Sequence, residues 1–145
     1  MEKILLITGG SRGIGAATAL LAAERGYAVC VNYRENRAAA ETLVAGLRER
    51  GAKAIAVAGD VANEAAVLHL FATVDRELGP LTALVNNAGT VVRSGARIAD
   101  VSADRLQRIF ATNVFGSIFC AREAIRRMST RQGGRGGAIV NVSSG

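Results

Sequence analysis

Five short apolar runs punctuate the chain, at Ile4–Thr8, Ala28–Tyr33, Ala54–Val61, Ala83–Asn86 and Ala138–Val142. None alternates polar with apolar positions. A strand with one wet face shows that alternation, whereas the strands of a parallel sheet are covered on both faces and read as continuous apolar runs. Between the runs lie stretches of helical period, at about residues 13–25, 36–50, 63–78 and 102–129. The order β-α-β-α-β-α-β-α-β predicts an α/β fold, a doubly wound parallel sheet with right-handed crossovers. Gly26 and Gly51 follow the first two helices as C′ residues, and Gly79-Pro80 stops the third. Asn63 and Ser102 are candidate N-caps. Residues 131–137, RQGGRGG, read as a flexible basic link into the last strand.

The fourth helical stretch is apolar on more than one side. Leu106, Phe110, Asn113, Ser117, Cys120, Ala124 and Met128 share one face at helical spacing, while Phe115, Ile118, Phe119 and Arg122 lie elsewhere on the cylinder. A helix apolar on two sides must bury two. The outer side is expected to meet another subunit or a further segment of chain.

Composition narrows the class. The 145 residues are half hydrophobic, 21% charged and 4% aromatic, which suits one ordinary domain and is too apolar for a disordered chain. Cys30 and Cys120 sit inside apolar runs, so buried free thiols in a reducing compartment are expected in place of a disulfide. One histidine, His69, and two distant thiols make no ligand cluster, and no metal is expected. The N-terminal apolar run is too short for a signal-peptide core or a membrane span. A soluble, cytoplasmic protein with no membrane partner is expected.

The formal net charge is +6. Its uneven part is residues 122–145, where Arg122, Arg126, Arg127, Arg131 and Arg135 face Glu123 alone. A basic tail can serve nucleic acid. The alternative is a helix end, where cations favour the dipole, followed by a loop. No interleaved aromatics and no recognition-helix pattern accompany the arginines, so no nucleic-acid partner is expected.

The candidate chemistry begins where the first strand runs through Thr8-Gly9-Gly10-Ser11-Arg12-Gly13-Ile14-Gly15 into a helix. Glycines there permit positive φ and close approach of backbone to a pyrophosphate, and the helix start offers unpaired N–H groups to phosphate. The spacing is Gly-x-x-x-Gly-x-Gly, not the commoner Gly-x-Gly-x-x-Gly. Asp60-Val61 follows the third strand and Asn86-Asn87-Ala88-Gly89 ends the fourth. Asn113-Val114-Phe115-Gly116 lies in the fourth helix, and Asn141-Val142-Ser143-Ser144 ends the fifth strand. With these five ordered motifs, the sequence resembles the short-chain dehydrogenase/reductase family over nearly its whole length.

The resemblance implies a Rossmann-type NAD(P)-binding domain over residues 1–145. It implies cofactor contacts from Gly9, Ser11, Arg12, Gly13, Ile14, Gly15, Asn32, Tyr33, Arg34, Asp60, Val61, Asn87, Ala88 and Gly89, with the adenine ring at Asp60-Val61. It implies catalytic roles for Ser144, which would hydrogen-bond the reacting oxygen, and for Asn113, which would hold a water of the proton relay. Plainer alternatives stand beside each: a polar turn for Asn86–Gly89, a satisfied core amide that bends the helix for Asn113, a strand-end hydroxyl for the serine. NAD-specific enzymes of this architecture carry an acidic side chain at the end of the second strand. Here the strand ends Val31-Asn32-Tyr33-Arg34, and Tyr33 takes the acidic position. Arg34 and Arg12 can converge on a 2′-phosphate, with Ser11 and Asn32 adding hydrogen bonds, so NADP(H) is expected in preference to NAD(H). The alternative is a solvated loop charge for Arg34 and a surface residue at a helix start for Arg12.

The family's Tyr-x-x-x-Lys pair, in which the lysine tunes the phenol for acid/base work, has no counterpart at Tyr27, Tyr33, Lys3 or Lys53. In the family it follows the serine, beyond the position of Gly145. The chain is therefore expected to be the N-terminal part of a longer enzyme, inactive by itself. The expected function is NADP(H)-dependent hydride transfer to or from a small carbonyl/alcohol substrate, ketoacyl-reductase-like or sugar-dehydrogenase-like. A homo-tetramer built through helix 102–129 is expected by the same resemblance. The alternative is a non-catalytic dinucleotide-binding or regulatory protein.

Overall fold

The computed structural model describes residues 2–92 and 96–144. The elements run β1 (Lys3–Ile7), α1 (Gly13–Glu24), β2 (Tyr27–Tyr33), α2 (Arg37–Glu49), β3 (Ala54–Ala58), α3 (Glu64–Glu77) and β4 (Ala83–Asn86). They continue with α4 (Ala103–Phe110), a π-helical turn (Ala111–Gly116), α5 (Ser117–Met128) and β5 (Ala138–Asn141). The sheet is parallel, with strand order β3-β2-β1-β4-β5. This is the doubly wound α/β fold.

The absence of alternation in the strands has a direct cause. Successive side chains of a strand point to opposite faces. In β1 and β2, Ile4, Leu6, Ala28 and Cys30 enter one core with Val67, Phe71, Val74, Cys120 and Ala124 of α3 and α5. Leu5, Ile7, Val29 and Val31 enter a second core with Ala19, Ala22, Ala40, Val44 and Leu47 of α1 and α2. Both faces are covered, so both must be apolar. Phe71 is wholly buried in the first core, where truncation to alanine costs about 3–5 kcal/mol.

Punctuation follows the sequence closely. Asn63 caps α3 by accepting from the Ala66 N–H at 3.1 Å, and Ser102 caps α4 through the Arg105 N–H at 3.1 Å. Asn36, expected inside the second helix, instead caps it through the Ala39 N–H. The third apolar run stops pairing at Ala58, leaving Gly59, Asp60 and Val61 in the loop beyond the strand.

Four expectations need correction. The fifth strand is not buried on both faces: Ala138, Val140 and Asn141 are exposed, because β5 pairs with β4 alone at the end of the sheet. Residues 131–137 are not a slack link. The Gly134 N–H donates to Ser129 O at 2.9 Å and the Gly136 N–H to Met128 O at 2.8 Å, while a side chain at Gly137 would collide with Met128 and the Thr82 carbonyl. The fourth helix does not keep one face. Its buried series is Thr112, Gly116, Cys120, Ala124 and Met128, and Leu106, Phe110, Asn113 and Ser117 fall off it. The π-turn inserts one residue and rotates the apolar stripe between α4 and α5. Phe119, finally, is half-buried against the first core, so the outer apolar surface consists of Phe110, Phe115, Ile118 and Ile125 instead.

Candidate functional site

A cavity of about 740 Å³ opens where the loops leave the carboxyl ends of β1 to β4. This is the switch point of the sheet: the chain winds outward from β1 to β3, then returns to lay β4 on the other side of β1. Open α/β sheets bind ligands at such crevices.

The cavity walls are stitched by Thr8, Asn86 and Asn87, residues of the glycine-loop and Asn86–Gly89 motifs. Thr8 is buried, and its hydroxyl accepts from the N–H groups of Asn87 and Ala88, both at 3.0 Å. Asn87 returns two hydrogen bonds, from Nδ2 to the carbonyls of Thr8 at 3.1 Å and Gly9 at 2.9 Å. These contacts bring the glycine loop against Asn86–Gly89 so closely that a side chain at Gly9 would meet Ala88 and one at Gly15 would meet the Gly9 carbonyl and Asn87. Asn86 ties the other flank, with Nδ2 donating to Asn141 Oδ1 at 3.0 Å and Ser117 O at 3.2 Å.

Asn32 does a different job from the one expected. It is buried, its Oδ1 accepts from the Gly9 N–H, and its Nδ2 donates to Val57 O and Gly59 O. The amide is fully engaged in binding the glycine loop and the end of β3 to the end of β2, and it has no donor left for a phosphate.

The cavity brings together Gly9, Ser11, Arg12, Gly13, Asn32, Tyr33, Arg34, Asp60, Val61, Asn87, Ala88 and Gly89 of the expected set. Ile14 is exposed and off the wall, and Gly15 lies beneath the loop. Ser144 is exposed beyond β5 and is not part of the wall either. Asn113 is exposed, contrary to the buried amide expected, yet both ends of its amide are engaged. Its Oδ1 accepts from Thr90 N–H at 2.8 Å, and its Nδ2 donates to Thr90 O at 2.7 Å. Arg105 of α4 also reaches this segment, at Thr90 Oγ1 and the Val91 carbonyl.

Sequence reasoning missed Glu35, Asn36, Gly59, Thr90, Arg108 and Thr112 on the wall. Arg108 carries no motif signal, since a helix arginine ordinarily marks a wet face. Here its Nη1 donates to Asp60 Oδ2 at 2.7 Å. Asp60 Oδ1 accepts from the Ala62 N–H at 3.0 Å, and Arg34 Nε stands 3.8 Å from Oδ2. Burial acts to raise the Asp60 pKa. The Arg108 and Ala62 hydrogen bonds and the charges of Arg108 and Arg34 outweigh it, holding the carboxyl below its ordinary range. Arg34 is not a lone cation, because Glu35 pairs with it at 2.9 Å.

The profile of the family described as short chain dehydrogenase matches residues 3–145. The chain belongs to that family. It is 47% identical over 141 residues to an Escherichia coli protein named uncharacterized oxidoreductase YgfF, covering 97% of this chain and 57% of that protein. Versicolorin reductase 1 of Aspergillus parasiticus is 43% identical over 142 residues, 98% of this chain and 52% of that protein. A solved structure of a Serratia marcescens short-chain dehydrogenase/reductase double mutant superposes with a TM-score of 0.88 at 32% identity, covering 98% of this chain and 55% of that one. The chain spans about half the length of the curated relatives it matches.

Short chain dehydrogenases bind a nicotinamide dinucleotide, and the residues of this cleft fit one. Gly13 lies on the wall with φ of 56°, and a Cβ there would project into open space. The α1 N-terminus beside it has no side-chain cap and no acidic residue in its first turn, leaving its N–H groups for an anion.

Proposed function

We propose that the full-length protein is an NADP(H)-dependent oxidoreductase acting on a small carbonyl/alcohol substrate, with residues 1–145 as its dinucleotide-binding domain. The observation that carries this reading is the cleft at the switch point, where the glycine loop, the β2 end and Asn87-Ala88-Gly89 share one wall. When bound there, the nicotinamide supplies or accepts the hydride. The α1 N-terminus and the glycine loop hold the pyrophosphate, Asp60-Val61 the base, and Gly89 with Thr90 the segment beneath the nicotinamide ribose. Ser144 polarises the reacting oxygen, and Asn113 positions the relay. Residues 1–145 contain no Tyr-x-x-x-Lys pair, so turnover is proposed for the full-length protein and not for these residues alone. A ketoacyl-reductase-like or sugar-dehydrogenase-like substrate suits this chemistry; the name of versicolorin reductase 1 supports reduction as the type of reaction and neither substrate class.

Preference for the 2′-phosphate is supported by Tyr33 at the last position of β2 and by Arg34 and Arg12 on the cavity wall. Glu35 competes for Arg34, but both partners of that pair are more than half exposed. Exposed pairs contribute at most about 1 kcal/mol, less than a doubly charged phosphate gains from a guanidinium. The test is to titrate the full-length protein with NADPH and NADH. Binding of neither would overturn the dinucleotide reading, and tighter NADH would overturn the phosphate preference.

A homo-oligomer, with a tetramer as its expected form, is proposed through the outer face of α4 and α5, supported by exposed Phe110, Phe115, Ile118 and Ile125. A cytoplasmic location is supported by two free buried thiols. No helix among the described residues is long and apolar enough to cross a membrane. Nucleic-acid binding loses its main support, because Arg122, Arg126 and Arg127 are paired with Glu64, Glu123 and Asp75.

A further inference from the structure

Among the described residues, four buried side-chain polar atoms lack a hydrogen-bond partner, and three of them belong to one patch: Arg108 Nε, Arg108 Nη2 and Thr112 Oγ1. Both residues line the cleft, and Thr112 is only 6% exposed. Buried polar atoms are ordinarily satisfied, so this patch stands apart from the rest of the interior, although the three atoms lie behind the cleft surface and not on it. Arg108 has a further distinguishing contact. It holds Asp60 Oδ2 at 2.7 Å, while Arg34 waits at 3.8 Å from the same oxygen. Two arginines therefore compete for one carboxylate, and Arg108 has won it.

We infer that Arg108 is a base-selecting residue of the cofactor site: it fixes Asp60 as the acceptor for the exocyclic amine of adenine and keeps Arg34 from bonding that carboxylate directly, so that the exposed Glu35 is the main competitor of the ribose 2′-phosphate. The inference rests on the dinucleotide reading given above. The geometry supports it in two ways. Asp60 Oδ1 is already anchored by the Ala62 N–H, so the Arg108 bond at Oδ2 fixes the carboxylate at both oxygens. A carboxylate held there accepts from an amine and is repelled by a carbonyl oxygen in the same place. Arg34, at 3.8 Å from Oδ2, is left without a direct hydrogen bond to that carboxylate. Without Arg108, Asp60 is drawn to Arg34, and both lose their places. Arg108 thus acts partly through its neighbours, as a positioning residue.

The experiment compares dissociation constants of the full-length protein for NADPH, NADH and reduced nicotinamide hypoxanthine dinucleotide phosphate, in which a carbonyl replaces the amine. Wild type is expected to prefer the adenine form by about tenfold or more, since a site built for a donor leaves polar groups unpaired when it is lost. Arg108→Leu is expected to bring that ratio to within about threefold and to lower the NADPH-over-NADH preference as well, as the loss of charged hydrogen bonds predicts. Arg34→Ala should lower only the second ratio. Retained binding of the hypoxanthine form shows that a variant is folded, and Arg108→Gln reads the same ratios if the leucine variant does not fold. An unchanged base ratio in the variants, or a wild type indifferent to the base, overturns the inference while leaving dinucleotide binding standing. A wild type that binds none of the three overturns the dinucleotide reading itself.

Discussion

Asn113 holds Thr90 with both ends of its amide, accepting from the Thr90 N–H at 2.8 Å and donating to the Thr90 carbonyl at 2.7 Å. The π-turn carries Asn113, so the irregularity of the helix and the position of the segment after Gly89 are one feature. π-turns inside α-helices often mark functional sites. Asn113→Ala should remove both bonds at a cost of about 1–2 kcal/mol. Amide exchange at Thr90 should quicken, with exchange in β1 unchanged. Asn113→Asp should do no better, because its second oxygen faces the Thr90 carbonyl. An unaltered Thr90 exchange rate in either variant would show that the clamp is not what holds this segment.

Glu123 predicts a pH dependence. Its carboxylate is 5% exposed and receives Arg126 at 2.6 Å and Arg127 at 2.9 Å, with Arg122 at 3.5 Å. Burial works to raise its pKa, but the Arg127 hydrogen bond and the charges of Arg126, Arg127 and Arg122 outweigh it, so the folded value lies below the ordinary one. A depressed carboxylate contributes stability that is present above the unfolded pKa, about 4.3, and lost as pH falls through the folded value. Denaturant titrations of wild type and Glu123→Gln should therefore differ by a constant amount at neutral pH and converge below about pH 4. At pH 7 the loss should be about 1 kcal/mol, the usual worth of a hydrogen bond given up, because the arginines are partly exposed and two of them keep Glu64 and Asp75 as partners. A gap that stays constant down to pH 3 would contradict the assignment.

The sequence displayed the sheet and its crossovers because apolar runs and capping residues act locally: Gly26, Gly51, Asn63 and Ser102 do what their types predict. It displayed the glycine loop and Asn86–Gly89 because those residue types are demanded by close backbone approach. It could not display Arg108, Thr112 or the competition at Asp60, since pairs 48 residues apart in sequence meet only through the fold. The π-turn escaped for another reason. Ala111–Gly116 has no proline to announce a break, and the rotation of the stripe shows only in which side chains end up buried. Asn32 was legible as polar at a strand end, but not as already occupied by three backbone partners.

Ser144 tests the reading of the fifth strand's end. In the full-length protein, Ser144→Ala should lower kcat by an amount equivalent to about 3 kcal/mol, the usual cost of losing one donor to a reacting oxygen. Cofactor affinity should barely change, because Ser144 lies off the cavity wall. Steady-state kinetics beside a fluorescence titration of NADPH separates the two. An unchanged kcat would remove the serine from the mechanism.

The outer face of α4 and α5 gives a test of assembly that does not disturb the core. Ile118 is 56% exposed, whereas Phe119 packs inward and lies under Arg122 at 5.4 Å. Ile118→Asp should yield smaller species in sedimentation velocity. Changes at exposed positions away from caps and pairs usually stay within about 0.5 kcal/mol, so the stability of the dissociated subunit should hold. A wild type already monomeric when dilute, or an Ile118→Asp variant of unchanged size, would mean that this face covers nothing in the assembly.

The proposed preference for NADP(H) rests on Arg34. It stands directly after Tyr33, which ends β2 buried in the core, so the acidic group that would repel a 2′-phosphate is missing from the strand end. Its partners are exchangeable: Glu35 at 2.9 Å is largely exposed, and Asp60 at 3.8 Å is already held by Arg108. A charge-assisted hydrogen bond contributes about 1.5–3 kcal/mol, so Arg34→Ala should weaken NADPH binding by about ten- to a hundredfold. NADH binding should hardly move, since the hydroxyl in place of the phosphate presents no charge to the guanidinium. Raising the salt concentration should narrow the wild-type preference toward that of the variant, because a half-exposed pair is screened. Equal losses for both cofactors would show that Arg34 supports the loop as a whole, and a wild type that binds NADH more tightly would place the phosphate elsewhere or nowhere.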